Sequence, residues 1–163
     1  MATQPKSNEP APDQQVSVSR VIDASAAQIF GVVSDASLHH VIDGSGTVQG
    51  SRGKPEQLHL GSKFSMSMKM GLPYAIGSEV VEFEQDRLIA WAHIGKHRWR
   101  YEIEVLSDDP DHPQCRVTET FDWSTSRLPK AIELIGYPKK HLPNMERTLE
   151  RLDAFVTNRR SAP

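Results

Sequence analysis

Residues 142–156 read LPNMERTLERLDAFV. On a helix turning about 100° per residue, Leu142, Met145, Leu149, Leu152 and Val156 fall into one narrow apolar stripe, and Glu146, Arg147, Glu150, Arg151 and Asp153 lie off it. Such a helix has one face to bury and one to solvate, so it needs an apolar surface elsewhere in the chain. The upstream sequence offers one, in a series of segments that alternate with a period of two.

The clearest alternation is at 98–106, where Trp99, Tyr101, Ile103 and Val105 oppose Arg98, Arg100, Glu102 and Glu104. KFSMSMK at 63–69 sets Phe64, Met66 and Met68 against Ser65 and Ser67. At 116–124, Val117, Glu119, Phe121 and Trp123 share a face opposite Arg116, Thr118, Thr120 and Asp122. VSVSRVI at 16–22 puts Val16, Val18, Arg20 and Ile22 together. A long strand at 74–85 pairs Val81 with Phe83 opposite Glu82 and Glu84, and its hairpin partner at 87–93 aligns Ile89, Trp91 and His93. A short strand at 47–51 and a fragment at 58–60 complete the set.

Ser25 and Gln28 match a capping box, so a helix starts there and carries Ile29, Phe30, Val32 and Val33 on its apolar side. Asp35, the following histidine pair and Gly44 point to a break or a second short helix. Residues 128–136 read as a short helix opened by Pro129. Pro138 and Pro143 leave the start of the last helix open, because each suits a first turn and neither suits an interior. A start at Pro138 would place a kink near Pro143, and the helix is expected to run to about Asn158.

The chain has 163 residues, 37% of them hydrophobic and 25% charged, which suits one domain with a sizeable core. Residues 1–15 carry three prolines and almost no large apolar side chain, which predicts a disordered tail, a domain at 16–158 and a frayed end at 159–163. A net charge of −2 with dispersed basic residues gives no footprint for nucleic acid. One cysteine, Cys115, excludes an internal disulfide framework and fits a packing role in a strand. No apolar run approaches the roughly 20 residues that cross a bilayer, and the N-terminus lacks a signal pattern. The expectation is a cytoplasmic protein without stable membrane insertion.

The order strand, two short helices, about six antiparallel strands and one long amphipathic helix resembles the START-like, helix-grip superfamily. VSVSRVIDASAAQIFGVVSD, HHVIDGSGTVQG, EVVEFEQDRLIAW, HRWRYEIEV and RVTETFDWS resemble its polyketide cyclase/dehydrase (SRPBCC) branch, over roughly residues 16–158. The resemblance implies an α+β helix-grip fold, in which a curved antiparallel sheet of about six to seven strands wraps the C-terminal helix. It also implies a cavity for an apolar or aromatic small molecule, but no particular reaction, since carriers, cyclases and stress-response binding proteins share the scaffold.

Phe64, Met66, Met68, Trp91, Trp99, Phe121 and Trp123 on the sheet, with Met145 and Leu149 on the helix, are the candidate ligand-binding side chains. Aromatic rings and adaptable thioethers make up a pocket wall, though the same residues can simply fill a core. His93, Tyr101 and Glu119 are the candidate catalytic groups. His93 would serve as acid or base near neutral pH if it faces a cavity, and otherwise has a packing or surface role. Glu119 is an inward carboxylate that needs a partner: either Arg20 pairs with it, or a slip or bulge turns one of the two outward. His39, His40 and Asp43 resemble metal ligands in type, but adjacent helical histidines diverge by about 100°, and no metal or other cofactor is assigned. No nucleophile motif is present. Three functions remain: a carrier of a hydrophobic molecule, a cyclase or dehydratase acting by substrate shaping and proton relay, or a protein-interaction module.

Overall fold

A computed structural model describes residues 14–53 and 56–160. Most of the expected N-terminal tail and residues 161–163 lie outside it. Among the described residues seven strands form one antiparallel sheet: β1 (Gln15–Ile22), β2 (Val48–Arg52), β3 (Lys63–Met70), β4 (Leu72–Glu84), β5 (Leu88–His93), β6 (Arg98–Ser107) and β7 (Gln114–Asp122). Their order is β1-β7-β6-β5-β4-β3-β2, so β2 to β7 form a meander and β1 closes onto β7.

The segment between β1 and β2 holds α1 (Ala26–Val33), a 3-10 turn at Ala36–Leu38 and α2 (His39–Ile42). Ser25 caps α1 as the sequence predicts. Its backbone N–H donates to Gln28 Oε1 at 3.0 Å, and the Gln28 N–H donates to Ser25 Oγ at 3.2 Å. Ile29, Phe30, Val32 and Val33 are buried. The fragment expected at 58–60 is instead a single bridge between Asp35 and Gln57, beside which Leu58 plugs the core.

After β7 come α3 (Pro129–Leu134) and α4 (Tyr137–Arg160). The latter begins just before Pro138, keeps Pro143 inside it and runs two residues past Asn158. Met145, Leu149, Leu152 and Val156 are each 3% exposed or less, while Leu142 is half-buried. Burying a side chain of this size stabilises by about 1.5–3 kcal/mol, so the stripe as a whole rivals the net stability of a small domain. No helix among the described residues is long and apolar enough to cross a membrane.

Two register details depart from simple alternation. A bulge between Val80 and Glu82 makes Val80, opposite Trp91, the buried neighbour of Phe83, in place of Val81. Arg20 lies opposite Val117, whereas Glu119 lies opposite Val18. The Arg20 Nε reaches Asp153 on α4 at 2.8 Å, so the Arg20–Glu119 pair does not form. Arg20 is on the edge strand, where a long side chain can lean out to a partly solvated carboxylate without losing its own hydration.

The loop after α2 fastens the corner to the helix. The Gly44 N–H donates to Thr148 Oγ1 at 2.9 Å, its carbonyl accepts from Arg147 Nε at 3.0 Å, and Arg151 donates to the Asp43 carbonyl at 2.8 Å. A Cβ on Gly44 would stand 2.2 Å from the Asn144 carbonyl oxygen, so only glycine permits this approach.

Candidate functional site

Between the concave face and the first half of α4 the structure encloses a cavity of about 400 Å³. Its walls follow from strand pairing. Trp91 faces Trp99 across β5 and β6, Tyr101 faces Glu119 across β6 and β7, and Met66 and Met68 project from β3. Four of the five methionines in the chain, Met66, Met68, Met70 and Met145, line it. A wall so rich in thioethers adapts to irregular shapes.

Nine of the twelve candidate residues read from sequence meet at this cavity: Phe64, Met66, Met68, Trp91, His93, Trp99, Tyr101, Glu119 and Met145. Three do not. Phe121 is fully buried behind the wall, with its ring 4.8 Å from that of Trp99. Trp123 packs against Phe121 and donates from Nε1 to Glu133 Oε1 at 2.9 Å. Leu149 joins the core under α1. Strand alternation puts Phe121 and Trp123, and the helical stripe puts Leu149, on the expected face, but all three are buried in packed core.

Polar side chains are interspersed in the wall, and several of them sit in definite pairs. Tyr101 donates its phenolic hydrogen to Glu119 Oε1 at 2.9 Å. Glu119 is 3% exposed, and its other oxygen, Oε2, has no hydrogen-bond partner among the described residues. Burial pushes the carboxyl up to about 8, with Asp43 adding to the rise and the Tyr101 hydrogen bond opposing it. Glu119 is therefore mainly a neutral acid at pH 7, able to donate from the oxygen that Tyr101 does not occupy. The Tyr101 hydroxyl is held well above its ordinary range by burial and by Glu119.

His93 contacts Ser78 Oγ through Nδ1 at 2.8 Å, with His97 5.0 Å away ring to ring. Burial, helped by His97, lowers His93 to about 4, so it is neutral at pH 7 and offers hydrogen bonds in place of a readily exchanged proton.

The sequence reading missed several wall residues. His141 packs edge-on to Trp99 and Tyr137, and its Nε2 is a second buried polar atom of the wall without a hydrogen-bond partner among the described residues. Burial lowers His141 to about 4 as well. With Met145 and Thr148 it occupies positions i, i+4 and i+7 on α4, a spacing that extends the stripe toward the cavity. His39 stacks on Trp91 at 4.8 Å, and its Nε2 donates to the Val33 carbonyl at 2.9 Å. Asp43 accepts from the Val48 N–H and from Ser45, which fixes the turn into β2. Both residues thus have structural partners, and no group of three or more metal-ligating side chains is assembled among the described residues.

The outer face of the sheet is a solvated charge ladder. Arg98 and Arg100 approach Glu82 at 3.6 and 3.5 Å, and Arg116 meets Glu104 at 2.6 Å. Surface pairs of this kind add little stability.

No protein-family model matches the chain. It is 41% identical over 151 residues to Rv0088, an uncharacterized protein of Mycobacterium tuberculosis H37Rv, covering 89% of this chain and 66% of the relative. A counterpart in strain CDC 1551 gives the same figures. The chain thus spans just under two thirds of the length of these curated relatives. Among solved structures, a Nitrosomonas europaea protein superposes with a TM-score of 0.70 at 11% identity, covering 93% of this chain and 99% of that one. An AHSA1-like protein from Aeromonas hydrophila gives 0.54 at 19% identity over 87% and 94%. The Aha1 dimer from Colwellia psychrerythraea gives 0.57 at 12% identity over 87% and 95%. With its seven-stranded antiparallel sheet, short helices and long C-terminal helix, the chain therefore has the α+β helix-grip fold of these structures.

Proposed function

We propose that this protein binds a small, largely apolar or aromatic molecule in the cavity between the sheet and α4, as a carrier or binding protein of the cytoplasm. The observation that carries the reading is Glu119 Oε2, a buried carboxyl oxygen in the cavity wall with no hydrogen-bond partner among the described residues. A buried polar atom left unpaired costs about 1–3 kcal/mol, and a guest with one acceptor would satisfy it. Phe64, Trp91, Trp99 and the four methionines of the wall supply non-directional contact, and about 400 Å³ is within the range of small-molecule pockets. On this reading the chain belongs to the polyketide cyclase/dehydrase branch of the superfamily. The strand and helix motifs it resembles, together with the fold, support that assignment.

A second reading has its own observation. A protonated Glu119 paired with Tyr101 is an acid that could hydrogen-bond to a substrate carbonyl and assist aldol closure or dehydration, without a covalent nucleophile.

Titration with the neutral fluorophore N-phenyl-1-naphthylamine tests the binding reading. One saturable site is expected, weakened in Trp99→Ala and retained in His93→Ala. Absence of a saturable site would overturn it. The catalytic reading requires in addition that Glu119→Gln abolish turnover of a poly-β-ketone while leaving fluorophore binding in place.

A further inference from the structure

Of all the side chains lining the cavity, only Met70, Tyr74 and Lys140 are exposed. They mark its opening, between the β3–β4 turn and the start of α4. Because neighbouring strands run antiparallel, the β3–β4 turn, the β5–β6 turn and the β7–α3 connection all lie at this end of the sheet. The Arg127 N–H donates to the Gly95 carbonyl at 3.1 Å and ties the last two together.

This end has an unusual surface. Around the opening, Met70 is 63%, Leu72 80% and Tyr74 41% exposed, and Ile94 in the β5–β6 turn is 81% exposed. Beside them, Leu128, Leu134 and Ile135 around α3 are 70%, 89% and 60% exposed. Interleaved with these are Lys69, Lys96, Arg127, Lys130, Lys139 and Lys140, all exposed and none in an ion pair among the described residues. The opposite end is acidic, carrying Asp23, Glu84, Asp86, Asp108, Asp109 and Asp111. A chain of net charge −2 has therefore gathered cations without an ion pair among the described residues, and exposed apolar side chains, around an opening of the cavity.

We infer that this end docks peripherally on an anionic lipid bilayer, which is the source or sink of the cavity's ligand. The inference rests on the binding reading above. Turn-tip apolar side chains can enter the headgroup boundary while the surrounding lysines meet lipid phosphates. The opening then faces hydrocarbon, and an apolar guest passes without crossing water. A second copy of the chain fits less well, because an isologous pairing of these ends would set six cations against six.

The test is co-sedimentation of the full chain with vesicles of phosphatidylcholine alone, or of equal parts phosphatidylcholine and phosphatidylglycerol. Binding is expected only to the anionic vesicles and should weaken steeply with salt. Two variants, Leu72→Asp with Ile94→Asp, and Lys69→Glu with Lys130→Glu and Lys139→Glu, alter residues outside the cavity wall. Each should lose about tenfold or more in vesicle affinity, with an unchanged melt and an unchanged naphthylamine titration. Equal binding to both vesicle types, no binding to either, or wild-type affinity in both variants would overturn the inference. So would a dimer in solution that either variant dissociates. In the wild-type chain, absence of vesicle binding with a saturable fluorophore site overturns docking alone, whereas absence of the fluorophore site with vesicle binding present overturns the cavity reading alone.

Discussion

Tyr101 and Glu119 stand directly opposite each other on β6 and β7, and the phenol donates to one carboxyl oxygen at 2.9 Å while the other oxygen is left unbonded in the cavity wall. The pair is buried, so its protonation is coupled to folding. Between its ordinary 4.5 and its folded value of about 8, the unfolded chain releases the Glu119 proton while the folded chain keeps it. Stability therefore falls as pH rises through that window, by up to about 1.4 kcal/mol per pH unit. His93 and His141 act in the opposite sense. The unfolded chain takes up their protons below 6.5, and the folded chain resists down to about 4, so stability is lost as pH falls through that range. His39 and His97, also lowered by burial, act in the same sense, so urea denaturation across pH 4–9 should show maximal stability at about pH 6.5 to 7. In Glu119→Gln the decline toward pH 8 should flatten. A wild-type slope in that variant would place the titrating group elsewhere.

Arg20 to alanine should be mild. Its partner is Asp153, and with the Arg20 side chain 41% exposed the pair is worth at most about 1 kcal/mol. A buried Arg20–Glu119 pair would instead cost about 3–5 kcal/mol on losing one member. Denaturant midpoints of Arg20→Ala and wild type discriminate the two arrangements.

Gly44 is the point of closest approach between the helical corner and α4. Gly44→Ala should destabilise by at least the roughly 1–3 kcal/mol typical of overpacking, because backbone of Asn144 and Thr148 stands in the way and cannot rotate aside. Gly31, with nothing near its missing Cβ, is the control: Gly31→Ala within α1 should be neutral or stabilising in the same thermal melt.

Residues that share a face divide by whether they meet α4 or the cavity. Phe121→Ala should cost about 3–5 kcal/mol, because that ring is fully buried among other rings. Met68→Ala, at a half-buried wall position, should cost far less stability and alter naphthylamine affinity. Comparable destabilisation in both would mean that the cavity is filled by its own side chains.

Much of the architecture was legible because it rests on periodicity. The stripe from Met145 to Val156, the alternation on β3, β6 and β7, and the Ser25–Gln28 capping box each encode one local geometry. Where the reading failed, a non-local fact decided. Val80 replaces Val81 because of a bulge, which a period of two does not reveal. Arg20 leaves Glu119 because α4 brings Asp153 within reach. Phe121 and Trp123 by strand alternation, and Leu149 by helical spacing, share a face with wall residues yet are core, since sequence shows which face a side chain takes but not how close the opposite layer lies. His97, in a turn, reaches the cavity through tertiary placement that spacing does not record, whereas His141 continues the stripe one turn before Met145, a signal that spacing does carry.

The most direct test of the central claim uses the methionine methyls, four of which line the cavity while Met1 lies outside the described residues. In a ¹³C-methyl-methionine spectrum titrated with N-phenyl-1-naphthylamine, the methyls of Met66, Met68 and Met145 should shift together and saturate at one equivalent, with nuclear Overhauser contacts to the naphthyl ring. Saturable shifts confined to the exposed Met70, or no saturable shifts at all, would contradict a guest held between the sheet and α4.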